Sequence, residues 1–196
     1  MMETTLYFET GLAETRREEL WSKVNEERLE ETSGYYELPE NQMTLAEEID
    51  DFIRDDERLS HGRVRDLVVI GIGGSSLGSK AVHALLKHTP NKNAVNVHFL
   101  ENGDPVELAS VMKTVDVPRA LFIVISKSGG TIETISVFKY VLAQLEKEDL
   151  DFETGRYVIA ITDPGSALER YANANEIPVF NLPKSVGGRF SVLQNR

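Results

Sequence analysis

Hydroxyls, glycines and one ammonium crowd into a single short segment, Ser126-Lys127-Ser128-Gly129-Gly130-Thr131-Ile132-Glu133-Thr134. It follows an apolar run at 121–125 and leads into a helical pattern. Hydroxyls and backbone amides at such a helix start can surround the oxygens of a phosphate monoester. The lysine and the positive end of the helix dipole can offset its charge. Thr131 is expected to cap the helix, with Thr134 a turn later and Glu133 as a favourable acid in the first turn. The plain alternative is a polar helix start that binds nothing.

A second segment, Gly71-Ile72-Gly73-Gly74-Ser75-Ser76-Leu77-Gly78, also joins an apolar run to a helix. Glycines let a backbone approach a ligand closely, and Ser75 or Ser76 can cap the helix. A dinucleotide fingerprint needs a glycine at 76, where serine stands, although Glu101 supplies the acid expected after the next strand. A Walker loop fits no better, because Ser79 holds the lysine position and Lys80 is one place late. A tight turn with structural glycines also fits.

Further along, Asp163-Pro164-Gly165-Ser166 and Lys184-Ser185-Val186-Gly187-Gly188-Arg189-Phe190-Ser191 follow two more apolar runs. Asp163 is expected to cap the helix that begins near Gly165 in preference to touching a ligand. Arg189 could stabilise an anionic intermediate, grip a phosphate or make a surface salt bridge. The histidines His61, His83, His88 and His98 show no ligand spacing, and His98 is expected to pack within a strand. The acids Asp50, Asp51, Asp55, Asp56 and Glu57 read as a solvated helix face, without the spaced oxygens of a calcium loop.

These segments need a scaffold that brings strand ends together. Apolar runs at 67–70, 95–100, 121–125, 157–161 and 177–182 alternate with amphipathic stretches at 77–87, 105–114, 131–147 and 165–175. In the third stretch Ile132, Ile135, Phe138, Val141, Leu142 and Leu145 form one stripe. Strands apolar on both faces belong to a parallel sheet covered on both sides, so the expected fold is a doubly wound α/β sheet of about five strands. Such sheets bind ligands beyond the carboxyl ends of their strands, where the two loops should meet. Before it, residues 1–60 read as helices. One is expected over 14–32 with an apolar face of Leu20, Trp21, Val24 and Leu29. Another opens at a capping box, Thr44 to Glu47, and carries Leu45, Ile49, Phe52 and Ile53 on one side.

Composition narrows the class. The chain has 196 residues, 41% of them hydrophobic, with 21 basic against 32 acidic side chains and a net charge of −11. That balance disfavours a general nucleic-acid or anionic-membrane binder. Without cysteine, disulfides and thiolate chemistry are excluded. No apolar run approaches the ~18 residues that span a bilayer, and a cytoplasmic location is expected.

Taken together, the segments GIGGSSLG at 71–78, SKSGGTIET at 126–134 and VGGRFS at 186–191 resemble, in order, the N-terminal half of the glucose-6-phosphate isomerase family. Asn102-Gly103-Asp104-Pro105 and Ile161-Thr162-Asp163-Pro164 fit the same family, and the resemblance covers roughly residues 60–193. It implies a sugar-isomerase (SIS) domain over 61–196 behind a helical region at 1–60. It also implies a hexose 6-phosphate substrate and no metal or organic cofactor. Ser126, Lys127, Ser128 and Thr131 would bind phosphate, with Gly129 and Gly130 shaping the loop. Gly74 and Ser75 would contact the sugar phosphate. Gly188 would lie with Arg189 beside the reacting carbons, Arg189 stabilising an enediolate and Glu133 supporting. In the family a second SIS domain supplies the glutamate base and the ring-opening histidine, and full-length members are dimeric. This chain alone is therefore expected to bind sugar phosphate weakly without useful turnover. An apolar docking face is expected to promote association. The alternative function is a non-catalytic SIS module that senses a phosphosugar.

Overall fold

A computed structural model describes residues 11–30, 34, 43–87, 95–151, 154–182, 184, 186 and 187. Arg189, Gly188 and His88 lie outside the described residues, as does Ser185.

The elements run α1 (Glu14–Leu29), α2 (Met43–Asp55), α3 (Glu57–Ser60), β1 (Asp66–Ile70), α4 (Leu77–Leu86), β2 (Asn96–Leu100) and α5 (Pro105–Met112). They continue with β3 (Ala120–Ser126), α6 (Ile132–Lys147), α7 (Thr154–Tyr157), β4 (Val158–Thr162), α8 (Ala167–Ala174) and β5 (Val179–Asn181). The five strands form one sheet in the order β2-β1-β3-β4-β5, every neighbouring pair parallel. The expected α/β fold is thus present, and each apolar run lies within two residues of its strand.

Side chains alternate across the strands and build two cores. Val68, Ile70, Phe122, Val124, Val158 and Ala160 face one way, against Leu108 and Met112 of α5, Val137 and Val141 of α6, and Leu168 of α8. Val69, Leu121, Ile125, Ile159 and Ile161 face the other way, with Phe52 of α2 and Leu59 of α3 packed against them. Phe52 meets Phe180 of β5 edge-on at 5.6 Å, and His83 of α4 lies 6.2 Å from Phe99 of β2. So α5, α6 and α8 cover one face, and α2, α3 and α4 the other.

Local chemistry starts the helices. Asp104 accepts from Val106 N–H at 2.8 Å and Glu107 N–H at 3.0 Å, with Pro105 in the first turn of α5. Asp56 likewise caps α3, accepting from Arg58 and Leu59 N–H. Asp50 and Asp51 pair with Arg54.

Two expectations about the N-terminal helices need correction, and that for His98, which lies within β2 as expected, is extended. Helix α1 forms, but it buries nothing, and Trp21 and Leu29 are 67% and 83% exposed. Of its apolar stripe, Val24 is half-buried while Leu20, Trp21 and Leu29 are exposed. Thr44 already lies inside α2, so it does not cap that helix. His98 does more than pack: its Nε2 lies 2.9 Å from Oδ1 of the buried Asp66, which also accepts from Asn96 Nδ2 and Asp116 N–H. Helix α4 leaves Leu77, Val82, Leu85 and Leu86 at least half exposed. No helix among the described residues is long and apolar enough to cross a membrane.

Candidate functional site

Strand order reverses direction between β1 and β3. Their exit loops leave the same edge of the sheet from adjacent strands, one toward α4 and the other toward α6, on opposite faces. That crevice is where doubly wound sheets hold ligands. Register brings the two loops level, with Ile70 beside Val124.

In the first loop Gly71 is packed against β3. A Cβ there would lie 2.9 Å from the Ile125 carbonyl and 2.8 Å from Ser75 Cβ. Gly73 to Ser75 form a 3-10 turn, and Gly74 and Ser75 are half-buried. Neither serine caps α4. Ser76 occupies the cap position, yet its hydroxyl donates to Glu101 Oε1 at 2.7 Å. Lys80 also bonds Glu101. The lysine, then the serine, hold this carboxyl below the usual range. Glu101 therefore braces the glycine loop to the end of β2, which weakens the dinucleotide reading that needs it on a ribose.

The second loop is tighter. Ser126 is buried at the end of β3 and donates to Thr131 Oγ1 at 3.2 Å. Gly129 has φ +67°, and a Cβ there would come within 2.6 Å of Ser166 and 2.9 Å of Leu168 N. Gly130 N–H donates to Ser128 Oγ at 3.3 Å, leaving both residues exposed. Thr131 sits at the cap position of α6 without a side-chain capping bond. The start of this 16-residue helix is thus left with amides that no side chain satisfies among the described residues. Hydroxyls of Ser128 and Thr131 stand beside it. Thr134 is buried, and Glu133 is exposed on the first turn.

Lys127 does not project freely from the loop. Its Nζ donates to Asp163 Oδ1 at 2.9 Å and Oδ2 at 3.0 Å. Asp163 is therefore not the cap of α8. Ser166 takes that role, accepting from Glu169 N–H at 3.0 Å. Behind the loop, Thr162 Oγ1 donates to the Ser126 carbonyl at 2.6 Å and shares a 2.8 Å bond with Ser166 Oγ. Thr162 and Ser166 are supporting residues that sequence reasoning passed over. A hydroxyl closing the apolar run at 158–162 and a second one four residues later, just before the next helix, were the available signal.

From β5, Leu182 N–H donates to the Thr162 carbonyl, and Val186 is buried. The described chain ends at Gly187, immediately before Gly188 and Arg189. A groove of about 500 Å³ opens on the outer side of the second loop. Ile132, Ile135, Phe138, Leu142 and Tyr171 line it, so it suits apolar surface more than a dianion. No cluster of acids and histidines among the described residues could hold a metal.

Comparison with known proteins agrees on one family. Residues 43–195 match the family described as phosphoglucose isomerase. A glucose-6-phosphate isomerase of Campylobacter jejuni is 32% identical over 193 residues, covering 98% of this chain and 45% of that protein. A glucose-6-phosphate isomerase of Thermus thermophilus is 36% identical over 161 residues, covering 82% and 36%. A crystal structure of a hypothetical protein from T. thermophilus matches with a TM-score of 0.76 at 33% identity, over 92% of this chain and 42% of that one. The glucose-6-phosphate isomerase of Chlamydia trachomatis matches with a TM-score of 0.63 at 30% identity, over 72% and 26%. The chain spans less than half the length of these relatives.

Proposed function

This chain belongs to the phosphoglucose isomerase family, and on that premise we propose that it carries the phosphate-gripping half of a site interconverting glucose 6-phosphate and fructose 6-phosphate. One observation carries the reading. The glycine loop at 71–76 and the hydroxyl loop at 127–131 leave neighbouring parallel strands at the reversal point of the sheet.

The substrate's phosphate sits against the uncapped start of α6. Ser128 and Thr131 donate hydroxyls, Gly129 and Gly130 bring backbone close, and Ser126 fixes Thr131 from behind. Lys127 contributes positive charge from its place on Asp163. Gly74 and Ser75 meet the sugar from the first loop. Isomerisation opens the ring and moves a proton between C2 and C1 through a cis-enediolate. Arg189, beside Gly188, stabilises the enediolate oxygen, an electrostatic role worth about 3 kcal/mol. Glu133 supports from the first turn of α6. Here 61–196 form the SIS-type domain, preceded by the helical region 1–60.

Proton transfer needs a carboxylate base that this reading places on a second SIS domain. The 196-residue chain by itself then binds hexose 6-phosphate without turning it over. Calorimetry with fructose 6-phosphate and a coupled assay of glucose 6-phosphate formation test both halves. Saturable binding without turnover supports the reading. Turnover at a rate typical of enzymes contradicts the inactive half, and absence of binding contradicts the phosphate site.

A further inference from the structure

At the amino edge of the sheet, opposite the loops above, four arginines line one cavity, with Asp66 and Asp116 also at that edge. Arg63 precedes β1, Arg119 immediately precedes β3, and Arg156 lies just before β4. Because β1, β3 and β4 are neighbours in a parallel sheet, these starts lie side by side. Arg58 reaches the same place from α3. Together with Tyr157 they line a cavity of about 400 Å³.

The floor of that cavity is formed by Arg58. Arg58 is 6% exposed, and its guanidinium donates to the Ala120 carbonyl at 2.9 Å and to the Arg156 carbonyl. It stacks on the Tyr157 ring at 4.4 Å. The rim is more open. Arg119 Nε donates to the Arg63 carbonyl at 3.2 Å, which sets the Arg119 side chain beside the Arg63 backbone. Neither Arg63 nor Arg119 forms an ion pair among the described residues. Arg63 and Arg119 thus bring two guanidinium groups without an ion pair among the described residues to the rim of one concave space, where an anion would offset their repulsion. Guanidinium forks are the donor geometry that phosphate and carboxylate oxygens accept in pairs.

We propose that this cavity binds a small polyanion carrying phosphate groups, at a site separate from the carboxyl-edge loops. A five-residue strand separates the two edges by roughly 15 Å, so one small ligand does not serve both. The proposal does not depend on the isomerase reading.

Inorganic pyrophosphate is the probe, titrated into the purified chain by calorimetry at low ionic strength. Variants Arg63→Gln and Arg119→Gln each remove one rim charge, while Arg54→Gln removes the same charge from the exposed face of α2, close in sequence to Arg58 but outside the cavity lining and paired with Asp50 and Asp51. The Arg63 side chain makes no hydrogen bond among the described residues, so its loss leaves folding intact, and thermal melts verify this. Saturable binding is expected, weakened at least tenfold by Arg63→Gln and by Arg119→Gln and less than twofold by Arg54→Gln. Absence of saturable binding overturns the proposal. So does a loss at Arg63 or Arg119 no larger than the loss at Arg54.

Discussion

Lys127 and Asp163 meet through two hydrogen bonds, Nζ lying 2.9 Å and 3.0 Å from the carboxylate oxygens. Asp163 N–H returns a bond to the Lys127 carbonyl at 3.0 Å. The loops after β3 and β4 are thus tied through both side chain and backbone. The ammonium is thus held in place by a neighbour within the chain. Both side chains are about a quarter exposed, so the pair is neither a solvated surface contact nor a buried one.

A double-mutant cycle on Lys127→Ala and Asp163→Ala is expected to give a coupling of about 1 kcal/mol in urea unfolding. A coupling near zero means that the pair contributes nothing to joining the loops.

Gly129 and Gly130 are adjacent but differ in what they tolerate. Gly129→Ala forces a Cβ into Ser166 at a positive φ, and a loss of about 1–3 kcal/mol is expected. Gly130→Ala meets nothing within 4 Å and should leave stability nearly unchanged. Thermal melts of the two variants make the comparison, and equal losses contradict this account of the loop.

Asp66 gives the fold an acid dependence. Burial alone would push its carboxyl up. The hydrogen bonds from His98, Asn96 and Asp116 N–H outweigh burial and hold it below the ordinary carboxylate range. Its stabilising effect is therefore complete above about pH 4, the value of an unfolded aspartate. It is lost as pH falls through the lower folded value. Asp66→Asn should cost about 1–3 kcal/mol at neutral pH and flatten the acid limb of stability against pH. An unchanged acid limb in urea titrations contradicts it.

Hydroxyl removal tests the proposed phosphate-binding role of the loop after β3. Ser128→Ala and Thr131→Val should each weaken fructose 6-phosphate binding about tenfold or more, as expected for a hydrogen bond to a charged group. Melting temperatures within a few degrees of the parent exclude general unfolding as the cause. Affinity within twofold of the parent for both variants contradicts the assignment.

Much of the scaffold was legible in the sequence. Runs such as Leu121 to Ile125, apolar on both faces, mark strands with helices above and below, and the stripe from Ile132 to Leu145 marks α6. The loops at 71–78 and 126–134 stood out because glycine and hydroxyl clusters are local features. Contacts between distant segments were not legible. Asp163 looked like a cap because it precedes a helix, but Ser166 is closer to the first turn and Lys127 offers Asp163 a stronger partner. Glu101 resembled a ribose-binding acid until Ser76 and Lys80 were seen to hold it. In the same way Arg58, Arg63, Arg119 and Arg156 are scattered along the chain, and only the parallel register gathers them. The stripe on α1 shows the converse limit, since its spacing did not reveal that Leu20, Trp21 and Leu29 stay exposed.

Amide resonances followed during a fructose 6-phosphate titration address the whole assignment at once. One pocket built from both turns predicts that amides within 71–78 and within 126–134 shift together along a single binding curve. Shifts restricted to one turn, or midpoints that differ between them, would show that no common sugar-phosphate pocket exists.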